Sequence, residues 1–550
     1  MGFLIVVQAI ILYVFTWVLW KVSRRYLLKS PLDNIPGPPS SSFVFGNLKE
    51  IDDPKDGWGF QEMLATKWNG VVRVKGIFNE NILFVFDPKA AHAVLVKDQQ
   101  IYENPPFRRT YGKLLLGDGL LAVAGVQHKT QRKLMNPLFS VAHMRGLFPT
   151  FTRVTLQLRD ALRNEVQHGI KELDILNWLG RAALELVGQG GLGYSFDPLV
   201  EDVPNELGEA IKKIMPSAGG FLRYSELLSL LDNLGASAVF LRRLLEVIPV
   251  QSIQKTLQTV QVLHSGCEQI YFEKKTALAA GDDAVVHQVG EGKDIMSVLL
   301  KANIEAEEED RLPENEVIGQ MSTLVFAAVD TTSTSLTRVI ELLAQKQDIQ
   351  SRLREEILNA LDGEEALDYD QLTELPYLDA ICRETLRLYA PVSMLFRATV
   401  EDTVMPLSES IIGIDGTTMK EIPIPKGTKV FVGVSASNQN TGLWGEDAKE
   451  WKPERWMENL PTDLVEARLP GVYAHLLTFG GGGRACIGFK FSQLEMKIML
   501  ATLISSFQFT LTKDHDKIFW NATRIASPSI GSGGKQPTMP INVELVARAH

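Results

Sequence analysis

Apolar residues crowd the first 20 positions of the chain, and the rhythm then changes twice. Phe3 to Trp20 reads FLIVVQAIILYVFTWVLW, with only Gln8 and Thr16 polar, and about 18 such residues suffice for one helix to span hydrocarbon. A core helix is the competing reading. Apolar residues on every face and a place at the extreme terminus favour a membrane anchor over 1–21. Lys21, Arg24, Arg25 and Lys29 follow the run instead of preceding it. A cleaved signal would carry them in front, so here they hold the chain that follows on the cytosolic side. Residues 22–40 then form a basic, proline-rich hinge, in which IPGPP (Ile35 to Pro39) cannot continue a helix. Short β-prone runs at Val71 to Val74 and Ile82 to Phe86, parted by a turn at Asn79 to Asn81, predict two short strands. From about Ala90 helical periodicity dominates, with long helices expected at 146–167, 172–190, 237–278, 314–344 and 376–390 and no internal repeat. The body, 41–550, is therefore expected to be mainly α with minor β.

Composition narrows this further. A chain of 550 residues, 45% hydrophobic and 22% charged, can bury a large core. A net charge of -10, with no basic stripe, argues against broad nucleic-acid binding. Cys267, Cys382 and Cys486 are odd in number and far apart, which fits a reducing compartment better than a disulfide framework. The Asn521-Ala-Thr sequon is then silent. EAEEED, Glu305 to Asp310, reads as a solvated loop, and Pro313 suits the first turn of the next helix.

The candidate chemistry begins at FGGGGRACIG, Phe479 to Gly488. A thiolate at Cys486, flanked by Arg484 and loosened by glycines, could ligate haem iron while the backbone passes close over a flat ring. Two plainer readings compete: a buried cysteine acting as a small hydrophobe, and a G-x-G-x-x-A dinucleotide fingerprint from Gly480 to Ala485. Too little chain follows to build the βαβ unit that fingerprint requires, and no Lys-Ser or Lys-Thr makes a P-loop. FAAVDTTSTS, Phe326 to Ser335, places Asp330 and Thr331 within an apolar helix. Threonine back-bonding to a preceding carbonyl, with the acid at the surface, is one account. A carboxylate and hydroxyl guiding protons in a water-poor pocket is the other. Glu384 and Arg387 of RETLR share a helix face, commonly as a minor surface pair, but Arg455 of WKPERW could join them in a buried network that fixes the loop leading to Cys486. His128 and Arg132, at i and i+4, are either ordinary helix-surface charge or partners for a cofactor's carboxylates.

Taken in order along the chain, these residues resemble the cytochrome P450 family. Phe479, Gly482, Arg484, Cys486 and Gly488 match its haem-loop pattern F-x-x-G-x-R-x-C-x-G; Glu384 and Arg387 match E-x-x-R, and Arg455 the P-E-R arginine. Asp330 and Thr331 take the acid and threonine positions of the oxygen-activating helix, with Ala328 where glycine is common. His128 stands where W-x-x-x-R has tryptophan, ahead of Arg132, and Arg397 resembles the other propionate-binding arginine.

The resemblance implies a cytochrome P450 fold and a haem whose iron is held by the Cys486 thiolate. It implies Asp330 and Thr331 as the catalytic pair that relays protons, and His128, Arg132, Arg397 and the loop residues as cofactor-binding. It further implies an O2-dependent monooxygenase of the fungal membrane-bound type, with a separate NADPH-dependent flavoprotein reductase as partner. Lys129, Lys133 and Lys490 are candidate docking charges for that reductase. The expected setting is the endoplasmic reticulum membrane, single-pass, with the catalytic body cytosolic. Substrate contacts are expected around Phe107 to Leu121, the apolar stretch before Asp330, Val392 to Leu395, and a turn near Ser527 to Ile530. These segments are chiefly apolar and imply a lipophilic small molecule with few charges, in secondary metabolism such as terpenoid biosynthesis. A reductase-independent haem-thiolate isomerase or dehydratase, and a non-enzymatic haem-binding membrane protein, are the alternatives.

Overall fold

The two β-prone runs form strands Val71–Lys75 (β1) and Asn81–Val85 (β2), paired antiparallel across a turn in which Phe78 and Asn79 have φ of 52° and 60°. The computed structural model describes residues 29–546 except 198, 200–204, 223–227, 229, 230, 232–236, 282–288 and 535, together with Gln8, Leu12, Tyr13, Thr16, Trp17, Leu19, Trp20, Ser23 and Leu27. Most of the expected anchor at 1–21 thus lies outside the described residues. Among those described, no helix is long and apolar enough to cross a membrane.

Three further strands complete the sheet: Tyr102–Glu103 (β3), Met394–Thr399 (β4) and Lys429–Gly433 (β5), in the order β1-β2-β5-β4-β3. Only the β2–β5 pair is parallel, with Ile82 opposite Lys429. Side chains alternate across the sheet as the pleat demands. Val71, Leu83, Val85, Val430 and Val432 pack in one apolar cluster; Val72, Val74, Ile82, Phe84 and Phe431 pack in another.

Helices make up most of the remaining body and enclose the largest core, in which Phe151, Tyr377, Trp444 and Phe507 are fully buried. Five of them position the site: Pro106–Leu116 (α1), Gly125–Met135 (α2), Glu314–Gln345 (α3), Pro376–Leu388 (α4) and Phe489–Ser506 (α5). Pro313 is the N-cap of α3, and Glu314 and Glu316 in its first turn complement the helix dipole. At about 1.5 Å per residue, this helix runs close to 50 Å through the core. Pro376 starts α4 at the position where a missing N–H is harmless.

Three expected helices end differently. The 172–190 segment begins as a strand, Lys171–Asp174, paired with Pro540–Leu545. Asp174 then caps Ile175–Leu186, and a π-turn follows over Val187–Leu192. The 237–278 segment breaks into Ala238–Val247 and Gln251–Ala280 around Pro249, which can neither continue the first helix nor leave Ile248 helical. The 146–167 helix starts earlier, at Val141, because Ser140 caps it and it runs on through Pro149. The acidic loop is a turn, and its Asp310 is ion-paired with Lys133.

Candidate functional site

Strand Leu476–Gly481 (β6) delivers the chain into the glycine loop, and α5 carries it away. Between them the Cys486 N–H donates to the Phe479 carbonyl at 2.8 Å, and the Gly483 N–H to Gln99 Oε1 at 2.6 Å. Gly482 has φ +65°, and a Cβ there would lie 1.9 Å from the Leu95 carbonyl oxygen, so only glycine permits this approach. Phe479 braces the turn edgewise between Tyr473 and Phe489. The Cys486 side chain is accessible to water yet sits deep in the protein mass, so the surface it shows faces an internal space. Burial pushes its thiol up, opposed by the Gly488 N–H and by Arg132. Metal ligation would supply what a buried thiolate lacks.

Behind the loop stands a saturated charge network. Arg387 grips Glu384 through two bonds of 2.8 Å, and both side chains are wholly buried. Its remaining N–H groups reach the carbonyls of Asn438, Ala448 and Glu450. Glu384 also accepts from Trp456 Nε1 at 2.9 Å, from the Lys452 N–H at 3.0 Å and from Arg455 Nε at 3.4 Å. Arg455 in turn holds Asp447 at 2.7 Å. The network reaches β6 through Asn438, whose side chain accepts from the Leu477 N–H and donates to Thr478. The expected triad of Glu384, Arg387 and Arg455 is therefore present, buried and tied to the cysteine loop.

A second set of side chains has the opposite character. His128 on α2 is buried, makes no side-chain hydrogen bond among the described residues, and is held neutral: burial first, then Arg484 and Arg132, pull its pKa down to about 4. Arg132 donates to the Ala485 carbonyl at 2.8 Å. Arg484 pairs with Glu103 at 2.5 Å and donates to the Val123 carbonyl. Arg397 is buried and makes one hydrogen bond, to the Phe396 carbonyl. Burial and Arg484 push it down to about 10. Arg109, which the sequence reading passed over, carries an orphaned buried Nε and adds its charge to that at Arg484. These cations and neutral donors have Glu103 as their one hydrogen-bonded carboxylate among the described residues. Such a set suits a flat ligand bearing carboxylates, with a soft metal at the cysteine, and the fit to haem is good on donor chemistry.

On α3, Ala327 is exposed and Phe326, Ala328, Asp330 and Thr331 are half-buried, while Val325, Val329 and Thr332 are buried. Thr331 Oγ1 donates to the Ala327 carbonyl at 2.7 Å, as the plainer reading expects. Asp330, however, is not at the surface. It is largely enclosed, has no hydrogen-bonded partner among the described residues, and burial raises its carboxyl to about 6. The turn expected near Ser527 to Ile530 is a strand paired with Ile518–Asn521, and the turn itself is 522–526. A cleft of about 820 Å³ between Trp58, Arg338, Tyr389 and Trp520 touches that turn at Ala526 but includes none of the cysteine-loop, charge-network or arginine residues above.

Against known proteins, the family model described as Cytochrome P450 matches residues 36–529. Cytochrome P450 monooxygenase 91 of Postia placenta is 52% identical over 530 residues, covering 96% of this chain and 97% of the relative. Cytochrome P450 monooxygenase 219 of the same fungus is 45% identical over 96% of both chains. Ganoderic acid synthetase of Ganoderma lucidum is 42% identical, over 96% of this chain and 97% of its own.

Proposed function

The chain belongs to the cytochrome P450 family, which binds haem through a cysteine thiolate, and is a monooxygenase of that family; from this premise we propose that it inserts one oxygen atom of O2 into a lipophilic secondary metabolite, terpenoid-like in class. Its electrons come from NADPH through a separate flavoprotein reductase. Residues 1–21 anchor it in the endoplasmic reticulum membrane, 22–40 form the hinge, and 41–550 make up the cytosolic catalytic body. The printed name of ganoderic acid synthetase supports the choice of a small-molecule metabolite.

The observation that carries the reading is Cys486, open to an internal space at the end of a loop braced by a fully buried ion-pair network. In this reading Cys486 is the metal ligand. His128, Arg132, Arg397 and Arg484 hold the carboxylates of the ring, with Arg109 beside them. Haem, when bound, supplies dioxygen activation, and thiolate ligation favours O–O cleavage. Asp330 and Thr331 move protons: a carboxyl near 6 both accepts and releases one close to neutral pH. Thr331 can turn its hydroxyl from the Ala327 carbonyl toward the exposed side of α3. Arg387, Glu384 and Arg455 position the loop and touch no substrate. Lys129 and Lys490 remain candidate reductase contacts, whereas Lys133 is engaged by Asp310.

The test is a reduced, CO-treated difference spectrum of the full chain in membranes, with product formation in the presence of a reductase. A thiolate-type Soret band that disappears in Cys486→Ala is expected, as is oxygenated product that requires NADPH. Persistence of the band in the variant would overturn the ligand assignment, and NADPH-independent rearrangement of substrate would overturn the monooxygenase reading.

A further inference from the structure

Among the described residues, two guanidinium groups close to the site form no ion pair. Arg108 lies in the first turn of α1, stacked at 4.6 Å over the ring of Phe396 on β4. Arg524 lies in the turn 522–526, which is pinned on both sides: the Ala522 N–H donates to the Pro54 carbonyl at 2.8 Å, and the Ala526 N–H to the Pro391 carbonyl at 2.9 Å. From there its guanidinium reaches within 6.0 Å of the ring centroid of Tyr111. Tyr111 is three residues beyond Arg108 on α1 and therefore on the same helix face. Neither arginine makes a side-chain hydrogen bond or ion pair among the described residues.

The surroundings sharpen the puzzle. Burial pulls Arg108 down to about 9, and the neighbouring charges of Arg524 and Arg397 pull in the same direction. A buried cation beside two others normally acquires a carboxylate. Two carboxylates lie in the surroundings, Glu103 acting on Arg397 and Asp52 on Arg524. Glu103 is already held by Arg484. Asp52 is felt by Arg524, but the two form no ion pair. The ring carboxylates of a bound haem would be met by Arg132, Arg397, Arg484, His128 and Arg109. Arg108 and Arg524 are surplus to them, and they lie in or beside segments expected to contact substrate: Arg108 within 107–121 and stacked on Phe396, next to 392–395, and Arg524 in the turn just before 527–530.

We propose that Arg108 and Arg524 together bind the carboxylate of the substrate, so that this enzyme takes a lipophilic acid by its charged end and presents its apolar body for oxidation. The inference rests on the monooxygenase reading above and revises one part of it: the substrate is apolar along its body and anionic at one end. Two guanidinium groups recognise a carboxylate by charge-assisted, in-plane hydrogen bonds, and enclosure within the protein strengthens both.

The experiment uses the full-length holoenzyme in membranes and follows the Soret shift on titration with hexadecanoic acid and with a tetracyclic carboxylic acid, each beside its methyl ester, at pH 8. The acids are expected to bind at least about tenfold more tightly than their esters. Arg108→Gln and Arg524→Gln are each expected to erase that preference while keeping wild-type haem content and the CO band; Arg108→Lys should retain part of it. Equal binding of acid and ester by the wild type, or no binding of either acid, overturns the proposal. So does loss of haem from both glutamine variants, which would assign these arginines to the ring carboxylates. An absent CO band in the wild type is a separate result: it defeats the haem-thiolate reading itself.

Discussion

Glu384 and Arg108 are both charged groups enclosed by protein, and they are treated in opposite ways. Around Glu384 every lone pair has a donor, and Arg387 uses its whole fork, two N–H groups on the carboxylate and the rest on three backbone carbonyls. Around Arg108 the neighbours are an aromatic face and further cations. The first arrangement is closed: it has no capacity left for a ligand, and its hydrogen bonds cross from α4 through Asn438 to β6. The second is open, and its electrostatics improve only when an anion arrives. A saturated buried charge marks bracing, and an unsatisfied one marks a place for something else.

The largest effects should come from breaking the closed side. Glu384→Ala leaves Arg387 and Arg455 buried with no carboxylate between them, and removal of one partner from such a pair costs about 3–5 kcal/mol. The variant is expected to lose haem and to unfold at markedly lower urea, whereas Arg455→Gln, whose bond to Glu384 is the longest at 3.4 Å, should cost less. Equal stability of Glu384→Ala and wild type in a urea titration would show the network to be ornamental. On the open side, Thr331→Ala should leave the fold intact, because the hydroxyl bonds only its own helix. NADPH consumption should continue while product per NADPH falls about tenfold or more. Unchanged coupling would reduce Thr331 to a helix residue that bonds back to Ala327.

The closed side was also the legible one. Glu384 and Arg387 are one helical turn apart, and the cysteine loop is ten consecutive residues, so local spacing states both. Arg455 required one long-range guess, and the structure places it on Glu384. Arg108 and Arg524 are far apart in the chain and meet only through the α1 face and a pinned turn, a juxtaposition no spacing rule encodes. The sequence did display adjacent arginines in PFRRT, within a segment read as chiefly apolar. At Thr331 the plainer reading holds only in part, since the hydroxyl does bond back along the helix while the neighbouring acid is enclosed rather than surface-borne. Two of the three helix misreadings share one cause. Pro249 was inside a periodic run, and apolar periodicity alone cannot report a break or the strand that Pro540–Leu545 recruits from residues 171–174.

Asp330 gives the finest test of the contrast, because its lack of a partner has a pH signature. Burial raises its pKa from the model-peptide value of 3.8 to about 6, so between those values the folded chain holds a proton that the unfolded chain has released. Folding stability therefore falls as pH rises through that window, and above about 6 the folded state carries the full penalty of an enclosed carboxylate. Asp330→Asn removes the penalty. Its stability relative to wild type should be unchanged near pH 4 and should grow toward pH 7.5 by no more than about 2 kcal/mol, allowing for water beside the exposed Ala327 of α3. Paired urea titrations at the two pH values measure the difference. A gap that does not change with pH would mean that Asp330 already has a counter-charge in the folded protein, and the open side would then be less open than its hydrogen bonds indicate.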